Sequence, residues 1–197
     1  MPTTRRCEHC DEPMPITARS HARFCKPACR AAAHRASRAI PAELTARPRW
    51  VRRTARKVPV TVGGCAASST DPASWSTYRD AARSTAGAGL GFVLDGDGLV
   101  CLDLDHCLDA EGTVAGWARN ILDMAADSTW VEVSPSGDGL HVWGHGQLPD
   151  DAGRRLQLGD GTVELYSTGR YIAVTGRTFG DTPQRLGDLQ HVIDSLL

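Results

Sequence analysis

Long apolar stretches and lysine are both scarce in this 197-residue chain. No apolar run approaches the ~20 residues that a helix needs to cross a bilayer, and the N-terminus lacks the apolar segment of a secretion signal. These absences argue against an integral membrane protein and against a secreted one. With 41% hydrophobic and 23% charged residues, the composition is that of an ordinary globular protein. We therefore expect a cytoplasmic protein with no membrane partner.

Charge is distributed unevenly along the chain, and lysine contributes little to it. Only Lys26 and Lys57 are lysines, and the other 20 basic residues are arginines. Residues 1–60 carry 14 basic against 4 acidic side chains, whereas residues 61–197 carry 8 against 19. A basic N-terminal third predicts a polyanionic partner such as nucleic acid. The acidic remainder is where a site for divalent cations is expected.

Four of the seven cysteines are spaced like metal ligands. They form a Cys-x2-Cys pair followed by a Cys-x3-Cys pair, made by Cys7, Cys10, Cys25 and Cys29. Four thiolates complete a tetrahedral shell around one structural Zn²⁺, and clustered cysteines in a cytosolic protein favour metal over disulfides. Residues 1–39 are therefore predicted to form a small zinc-binding module. The alternative is a disordered tail with unmetallated thiols.

Basic residues continue after the cysteines in two stretches. The first is rich in Ala and Arg and predicts a helix with a basic side. The second interleaves arginines with a tryptophan, which suits nucleic-acid backbones and stacked bases. The predicted nucleic-acid contacts are Arg30, Arg35, Arg38, Arg49, Trp50, Arg52 and Arg53. Residues 40–57 are interpreted as a basic linker and residues 58–197 as a second domain. A solvated basic face and a plain linker remain the alternatives.

The second domain is organised around residues 98–106, which read G-L-V-C-L-D-L-D-H. An apolar run of this length predicts a buried strand ending in Asp103 and Asp105. Because alternate residues of a strand share a face, both carboxylates should project side by side. Their mutual repulsion is relieved by a divalent cation, and hard oxygen ligands suit Mg²⁺ or Mn²⁺. Taken alone, the pair could also be a solvated strand end.

Two further segments add polar groups of matching chemistry. Residues 134–141, S-P-S-G-D-G-L-H, offer Ser136, Gly137 and a strand histidine, His141, for binding phosphate. Glu164 lies in an apolar strand, where a carboxylate is costly unless it is paired or metal-bound, and Arg170 follows close by. Each feature alone has a structural alternative. Together, three carboxylates could hold two divalent ions for phosphoryl chemistry.

The order of elements predicts an α+β fold. Residues 88–94 read as a strand that pairs with the central strand through a D-G-D-G turn. Residues 162–166 and 171–174 read as a second pair. Helices are predicted over residues 115–126 and from Thr182 to Leu197.

These motifs resemble a known family. Residues 46–180 are similar to the bifunctional primase/polymerase (Prim-Pol) domains of phages and mobile elements, in the archaeo-eukaryotic primase superfamily. The resemblance is carried by L-D-L-D-H-C-L-D, S-P-S-G-D-G-L-H and V-E-L-Y-S-T-G-R-Y, together with R-P-R-W and K-V-P upstream. The cysteine module resembles small zinc modules of mobile-element proteins.

The resemblance implies an RNA-recognition-like sheet within split α+β subdomains, and template-directed nucleotidyl transfer. It implies Asp103, Asp105 and Glu164 as ligands of two Mg²⁺ or Mn²⁺ ions, with His141 and Ser136 at the nucleotide phosphates. The implied partners are single-stranded DNA, nucleoside triphosphates and a separate replicative helicase.

Two other functions fit parts of the sequence. The first is a non-catalytic, zinc-dependent nucleic-acid-binding accessory protein that retains the primase fold. The second is a phosphohydrolase that begins with a D-x-D strand. No lysine follows position 57, and Asp105 is followed by His-Cys rather than Gly-Thr, so the sequence favours the phosphohydrolase least.

Overall fold

The computed structural model describes residues 5–7, 10, 12–37, 40–125, 127–150 and 153–197, with the side chains of 33–37 outside the description. The chain divides into two compact units, Met1–Ile40 and Pro41–Leu197. Mixed α+β structure with mainly antiparallel sheets agrees with the predicted fold class. Among the described residues, no helix is long and apolar enough to cross a membrane.

The described elements include five helices and ten strands. In chain order they are α1 (Pro27–Ser37), α2 (Ala42–Ala46), β1 (Trp50–Arg53), β2 (Pro59–Val60), α3 (Tyr78–Arg83), β3 (Gly89–Asp95), β4 (Leu99–Asp105), α4 (Gly116–Ala125), β5 (Val131–Val133), β6 (Leu140–His145), β7 (Arg154–Leu158), β8 (Gly161–Tyr166), β9 (Thr168–Val174), β10 (Gly187–Asp188) and α5 (Gln190–Leu196). All except α1 belong to the second unit.

Two sheets build the second unit. The smaller has the order β2-β1-β3-β9, and the larger has the order β10-β6-β4-β8-β7 with β5 added beside β6. The predicted pairing of residues 88–94 with the central strand is therefore wrong, because β3 and β4 lie in different sheets. The predicted pairing of residues 162–166 with 171–174 is wrong for the same reason. Only Ser167 separates β8 from β9, so the chain changes sheets there instead of turning back.

The predicted linker over residues 40–57 is largely part of the second unit. It contains α2 and β1, and β1 pairs with both β2 and β3. Trp50 is fully buried, and its indole nitrogen donates to the carbonyl of Leu44 at 3.0 Å. Burial of apolar side chains such as Trp50 holds this stretch in the sheet, even though it is rich in arginine.

Two other segments differ from the sequence prediction. The last helix, α5, begins at Gln190 rather than Thr182. The Thr182 hydroxyl instead accepts a hydrogen bond from the Val131 amide at 3.2 Å, which ties this segment to β5. Strand β7 was not predicted, because it lies at a sheet edge and its sequence R-R-L-Q-L has little apolar character.

The main core covers one face of the larger sheet. Leu102 and Leu104 of β4 pack in one cluster with residues of α4 and α5, including Ile121 and Val192. Alternation along the strand sends Asp103 and Asp105 to the opposite face. The core thus anchors the strand that carries the candidate site.

Candidate active site

Three acidic side chains converge on one face of the larger sheet. Asp103 of β4 is paired directly with Glu164 of β8, and Asp105 is paired with Thr162 of the same strand. Directly opposed residues of antiparallel strands have side chains in reach of each other. One oxygen from each of Asp103, Asp105 and Glu164 lies within 4.8 Å of the others. These three residues were predicted from the sequence to share a site, and the fold brings them together.

The three carboxylates carry like charges, which repel each other. Burial raises the pKa of Asp103, the neighbouring Asp105 and Glu164 raise it further, and His141 and Lys57 act in the opposite direction. Glu164 Oε2 accepts a hydrogen bond from Tyr166 Oη at 2.6 Å, and Arg155 Nε lies 3.6 Å from its other oxygen. A carboxylate group of this kind fits a divalent cation, which supplies the missing positive charge. The donor set suits Mg²⁺ or Mn²⁺.

The acids line a cleft of about 490 Å³ between the two sheets. The larger sheet contributes the carboxylates and His141. The smaller sheet and its flanks contribute Lys57, Ser69 and Arg170. The guanidinium carbon of Arg170 lies 4.6 Å from the centre of the Tyr166 ring. Negative and positive groups therefore face one space, as a metal-bound polyphosphate would require.

Lys57 was not predicted as a site residue. It has a left-handed backbone, with φ of 58°, which is unusual for a residue with a long side chain. Tyr171 Oη donates a hydrogen bond to its carbonyl. The K-V-P motif that contains Lys57 supports the family resemblance, but it does not indicate a role for the lysine side chain. No local pattern indicated that it would face residues 46 or more positions later in the chain.

His141 is buried beside the acids. Its Nε2 lies 3.5 Å from Asp103 Oδ1, and its Nδ1 lies 3.1 Å from Glu132 Oε1. Burial alone would lower the pKa of His141, but the hydrogen bond to Glu132 and the charges of Glu132 and Asp103 raise it above its usual value. Each ring nitrogen lies near a carboxylate oxygen, and a neutral ring could donate to only one of the two.

Glu132 is the second residue that the sequence analysis missed. It is fully buried in β5 and directly opposite His141 of β6. Its sequence context, W-V-E-V, is an acidic residue inside an apolar strand. This is the same signal that selected Glu164, and it could have found Glu132.

The predicted phosphate cradle lies at the end of β6. Pro135 of this turn lines the cleft, while the Ser136 hydroxyl shares a hydrogen bond with Ser134 at 2.8 Å. The Gly137 amide donates to the Ser134 carbonyl at 3.1 Å and is thus used within the turn. Gly137 has a φ of 94°, which favours glycine. The roles of Ser136 and Gly137 in nucleotide binding stay predictions.

Several of the predicted nucleic-acid contacts are structural instead. Trp50 has no exposed surface, so it cannot stack on a base. Arg49 is 7% exposed and pairs with Asp97 at 2.9 Å, and Arg52 donates to the carbonyls of Ala81 and Ala86. The prediction is therefore wrong for Trp50 and Arg49. Arg53 lines a groove with Arg177 beside the cleft and remains a candidate.

The N-terminal unit brings its four cysteines together. Three sulfur–sulfur distances are 3.5 Å (Cys25–Cys29), 3.6 Å (Cys10–Cys25) and 3.7 Å (Cys10–Cys29). The Cys25 amide donates to Cys7 Sγ at 3.3 Å. Tetrahedral zinc with bonds of about 2.3 Å separates its sulfur ligands by about 3.8 Å. The four thiols are thus arranged as a zinc site requires.

The basic helix of this unit is α1. Arg30 is exposed on it, as a phosphate contact would require. The side chain of Arg35 and the whole of Arg38 lie outside the described residues, so these two stay predictions.

Comparison with known proteins finds one relative with a related activity in its name. No family model matches the chain. In an alignment of 137 residues that covers 66% of the chain, it is 42% identical to the DNA primase-polymerase of Nitratiruptor phage NrS-1. The resemblance to phage Prim-Pol domains is confirmed. The matched region is 19% of the phage protein, so the chain spans about a fifth of the length of this relative.

Proposed function

We propose that this protein is a template-directed nucleotidyltransferase, a DNA primase/polymerase that joins nucleoside triphosphates on single-stranded DNA in phage or mobile-element replication. The observation that carries the proposal is the convergence of Asp103, Asp105 and Glu164 with His141 and two cationic side chains in one cleft. Similarity to a phage primase-polymerase supports the same activity.

The three carboxylates would hold two Mg²⁺ or Mn²⁺ ions. When bound, such ions align a 3′-hydroxyl with an α-phosphate and neutralise charge on the leaving pyrophosphate. Lys57 and Arg170 face the carboxylates across the cleft and would bind the triphosphate. His141 would donate from Nε2 to a phosphate oxygen, because its Nδ1 is committed to Glu132. Catalysis then rests on positioning and charge neutralisation, as is usual for phosphoryl transfer.

The N-terminal unit would add binding of nucleic acid to this activity. One structural Zn²⁺ held by the four cysteines would order the unit and present α1 to a phosphate backbone. A separate replicative helicase would supply unwound template.

A template-extension assay tests the proposal. The purified protein is incubated with single-stranded DNA, a primer, nucleoside triphosphates and Mn²⁺, and products are resolved by length. We expect product from the wild type and none above background from D103N/D105N, because removing two metal ligands abolishes charge neutralisation at the reacting phosphates.

The matched control is D123N, which changes an exposed aspartate on α4, the helix that packs on the opposite face of the sheet. It should extend primers at the wild-type rate. Equal product from D103N/D105N and wild type would contradict the proposal. No product from wild type, with DNA binding unaffected by the substitutions, would favour the accessory protein.

A further inference from the structure

Glu132 is a buried carboxylate that the proposed chemistry does not use directly. It has no exposed surface, and its neighbours along β5 are Val131 and Val133. An ionised carboxylate in such surroundings is strongly disfavoured unless several donors satisfy it. The hydrogen-bond donors that surround Glu132 therefore decide what this carboxylate can do.

The two oxygens of Glu132 serve different parts of the fold. Oε2 accepts hydrogen bonds from the Thr175 amide and the Gly176 amide, each at 2.9 Å, and the Thr175 hydroxyl divides its one proton between Oε2 at 2.9 Å and the Val133 carbonyl at 2.7 Å. Oε1 accepts from His141 Nδ1 at 3.1 Å and from Trp143 Nε1 at 3.3 Å. Backbone amides and an indole nitrogen can only donate. They fix the carboxylate in place, and the fixed carboxylate in turn requires a proton on His141 Nδ1.

The other imidazole nitrogen faces the acids. His141 Nε2 lies 3.5 Å from Asp103 Oδ1, and His141 lines the cleft. A ring rotated by half a turn would bring carbon atoms to both partners, and a ring protonated only on Nε2 would lose its bond to Glu132. The orientation of His141 thus follows from the position of Glu132.

We propose that Glu132 is a positioning residue, which holds His141 through an Nδ1–H hydrogen bond and so presents Nε2 to the nucleotide cleft. The arrangement resembles the partners that fix the orientation of metal-binding histidines through their second nitrogen. The consequence for nucleotide transfer rests on the proposed function, whereas the orientation of the ring does not. If Glu132 were merely structural, it would serve only to tie residues 175–176 to β5.

Nuclear magnetic resonance of ¹⁵N-histidine-labelled protein tests the orientation without any assay of activity. The seven histidines are assigned for this purpose by the signals that disappear in H141A. In the wild type, Nδ1 of His141 should show the chemical shift of a protonated nitrogen. An unprotonated Nδ1 in the wild type would overturn the proposal, whatever the behaviour of E132Q.

The variant E132Q sharpens this test. Glutamine offers one acceptor oxygen and one NH₂ group. An NH₂ group on the Oε2 side would face two fixed donors, the amides of Thr175 and Gly176, whereas on the Oε1 side it would face one, Trp143 Nε1, beside an imidazole that can become an acceptor. The NH₂ group should therefore face His141. Nδ1 should then shift to the range of an unprotonated nitrogen. A folded E132Q whose Nδ1 stays protonated would contradict the proposal.

A double-mutant cycle measures the functional consequence by primer extension. Changes to such supporting residues usually cost about 10–100-fold in activity, so we expect a loss of this size in kcat/KM for both E132Q and H141A. The double variant should be no worse than H141A, because Glu132 acts through His141. Losses that multiply would contradict the proposal. A wild type without extension activity would instead count against the proposed function and leave the resonance result standing.

Discussion

The two units of this protein place their candidate metal ligands in different surroundings. In residues 1–40, the described buried cluster consists of Cys7, Met14 and Cys29, with a few half-buried neighbours. In residues 41–197, a large apolar core supports a sheet, and the acidic group lies at the surface of a cleft. From this comparison we expect that the first unit would need a bound metal in order to fold. The second unit folds around its core and would need its metals only for chemistry.

The largest effect that this comparison predicts follows from removal of zinc. Binding of structural zinc to small modules is worth about 10–16 kcal/mol near neutral pH, far more than the first unit can gain from its apolar cluster. A chelator should therefore unfold residues 1–40 and leave the second unit folded. Limited proteolysis checks this, because adding the chelator should create new cleavage sites in residues 1–40 and none in the second unit.

The matched pair of variants is C25S and C65S. Cys25 belongs to the sulfur cluster, whereas Cys65 is an exposed cysteine in the second unit. C25S should reproduce the effect of the chelator, and C65S should keep one bound zinc per chain. If residues 1–40 resist proteolysis equally well with and without zinc, the first unit does not depend on the metal for folding.

A pH dependence follows from the thiols of the first unit. Desolvation and hydrogen bonds from the neighbouring thiols raise the pKa of Cys25 to about 12 in the absence of metal. Zinc binds the thiolate, so binding must release protons, and acidification must weaken it. Competition with a chromophoric chelator at several pH values should show an affinity that falls steadily as the pH falls. An affinity independent of pH would exclude thiolate ligands.

A smaller effect is expected from the core of the second unit. L102A removes a fully buried side chain of β4 beneath the acidic group, and such truncations cost about 2–5 kcal/mol in the free energy of unfolding. All five tryptophans lie in this unit, so denaturant unfolding followed by tryptophan fluorescence measures it directly. Zinc content should be unchanged. D123A, on the exposed side of α4, should unfold like the wild type.

Trp50 lies in a basic stretch but should contribute to stability and not to DNA binding. W50F removes the hydrogen bond to the carbonyl of Leu44, whereas the bond from the Arg47 amide to the same carbonyl stays, so we expect a loss of about 0.5–1.5 kcal/mol in the free energy of unfolding. DNA affinity should not change once the protein is folded, because the side chain has no exposed surface. A loss of affinity in folded W50F, measured by fluorescence anisotropy, would contradict the structural assignment.

The smallest predicted effect concerns the basic helix of the first unit. R30A removes one exposed guanidinium, and a single phosphate contact lowers the slope of log affinity against log salt by about one. DNA binding measured across a salt series should show this change with no change in the unfolding of the second unit. R119A, which removes an exposed arginine from α4, is the matched control. A slope equal to that of the wild type would show that Arg30 does not contact a DNA phosphate.

Residue type and strand alternation were enough to find the acidic group. Asp103 and Asp105 follow from one local pattern, and Glu164 follows from the cost of a carboxylate in an apolar strand. Local patterns of this kind do not predict which strands pair with each other. The turn between β3 and β4 looks like a hairpin, but each strand is paired on both sides with strands of another region, β3 with β1 and β9, and β4 with β6 and β8.

Contacts between distant segments explain the other differences. Arg49 was interpreted as a nucleic-acid contact because it lies among arginines around a tryptophan, yet Asp97 neutralises it across 48 positions. Lys57, which precedes β2, lines the cleft together with residues of β9, and Tyr171 of β9 donates a hydrogen bond to its carbonyl across 114 positions. These placements depend on topology, which local patterns do not determine.

The most direct test of the proposed metal site is a crystal structure of the protein soaked with Mn²⁺ and a non-hydrolysable nucleoside triphosphate. Anomalous scattering locates manganese independently of any model of the protein. We expect manganese between Asp103, Asp105 and Glu164, with the phosphates toward Lys57 and Arg170. Manganese bound elsewhere, with these three carboxylates contacting only water, would contradict the proposed function.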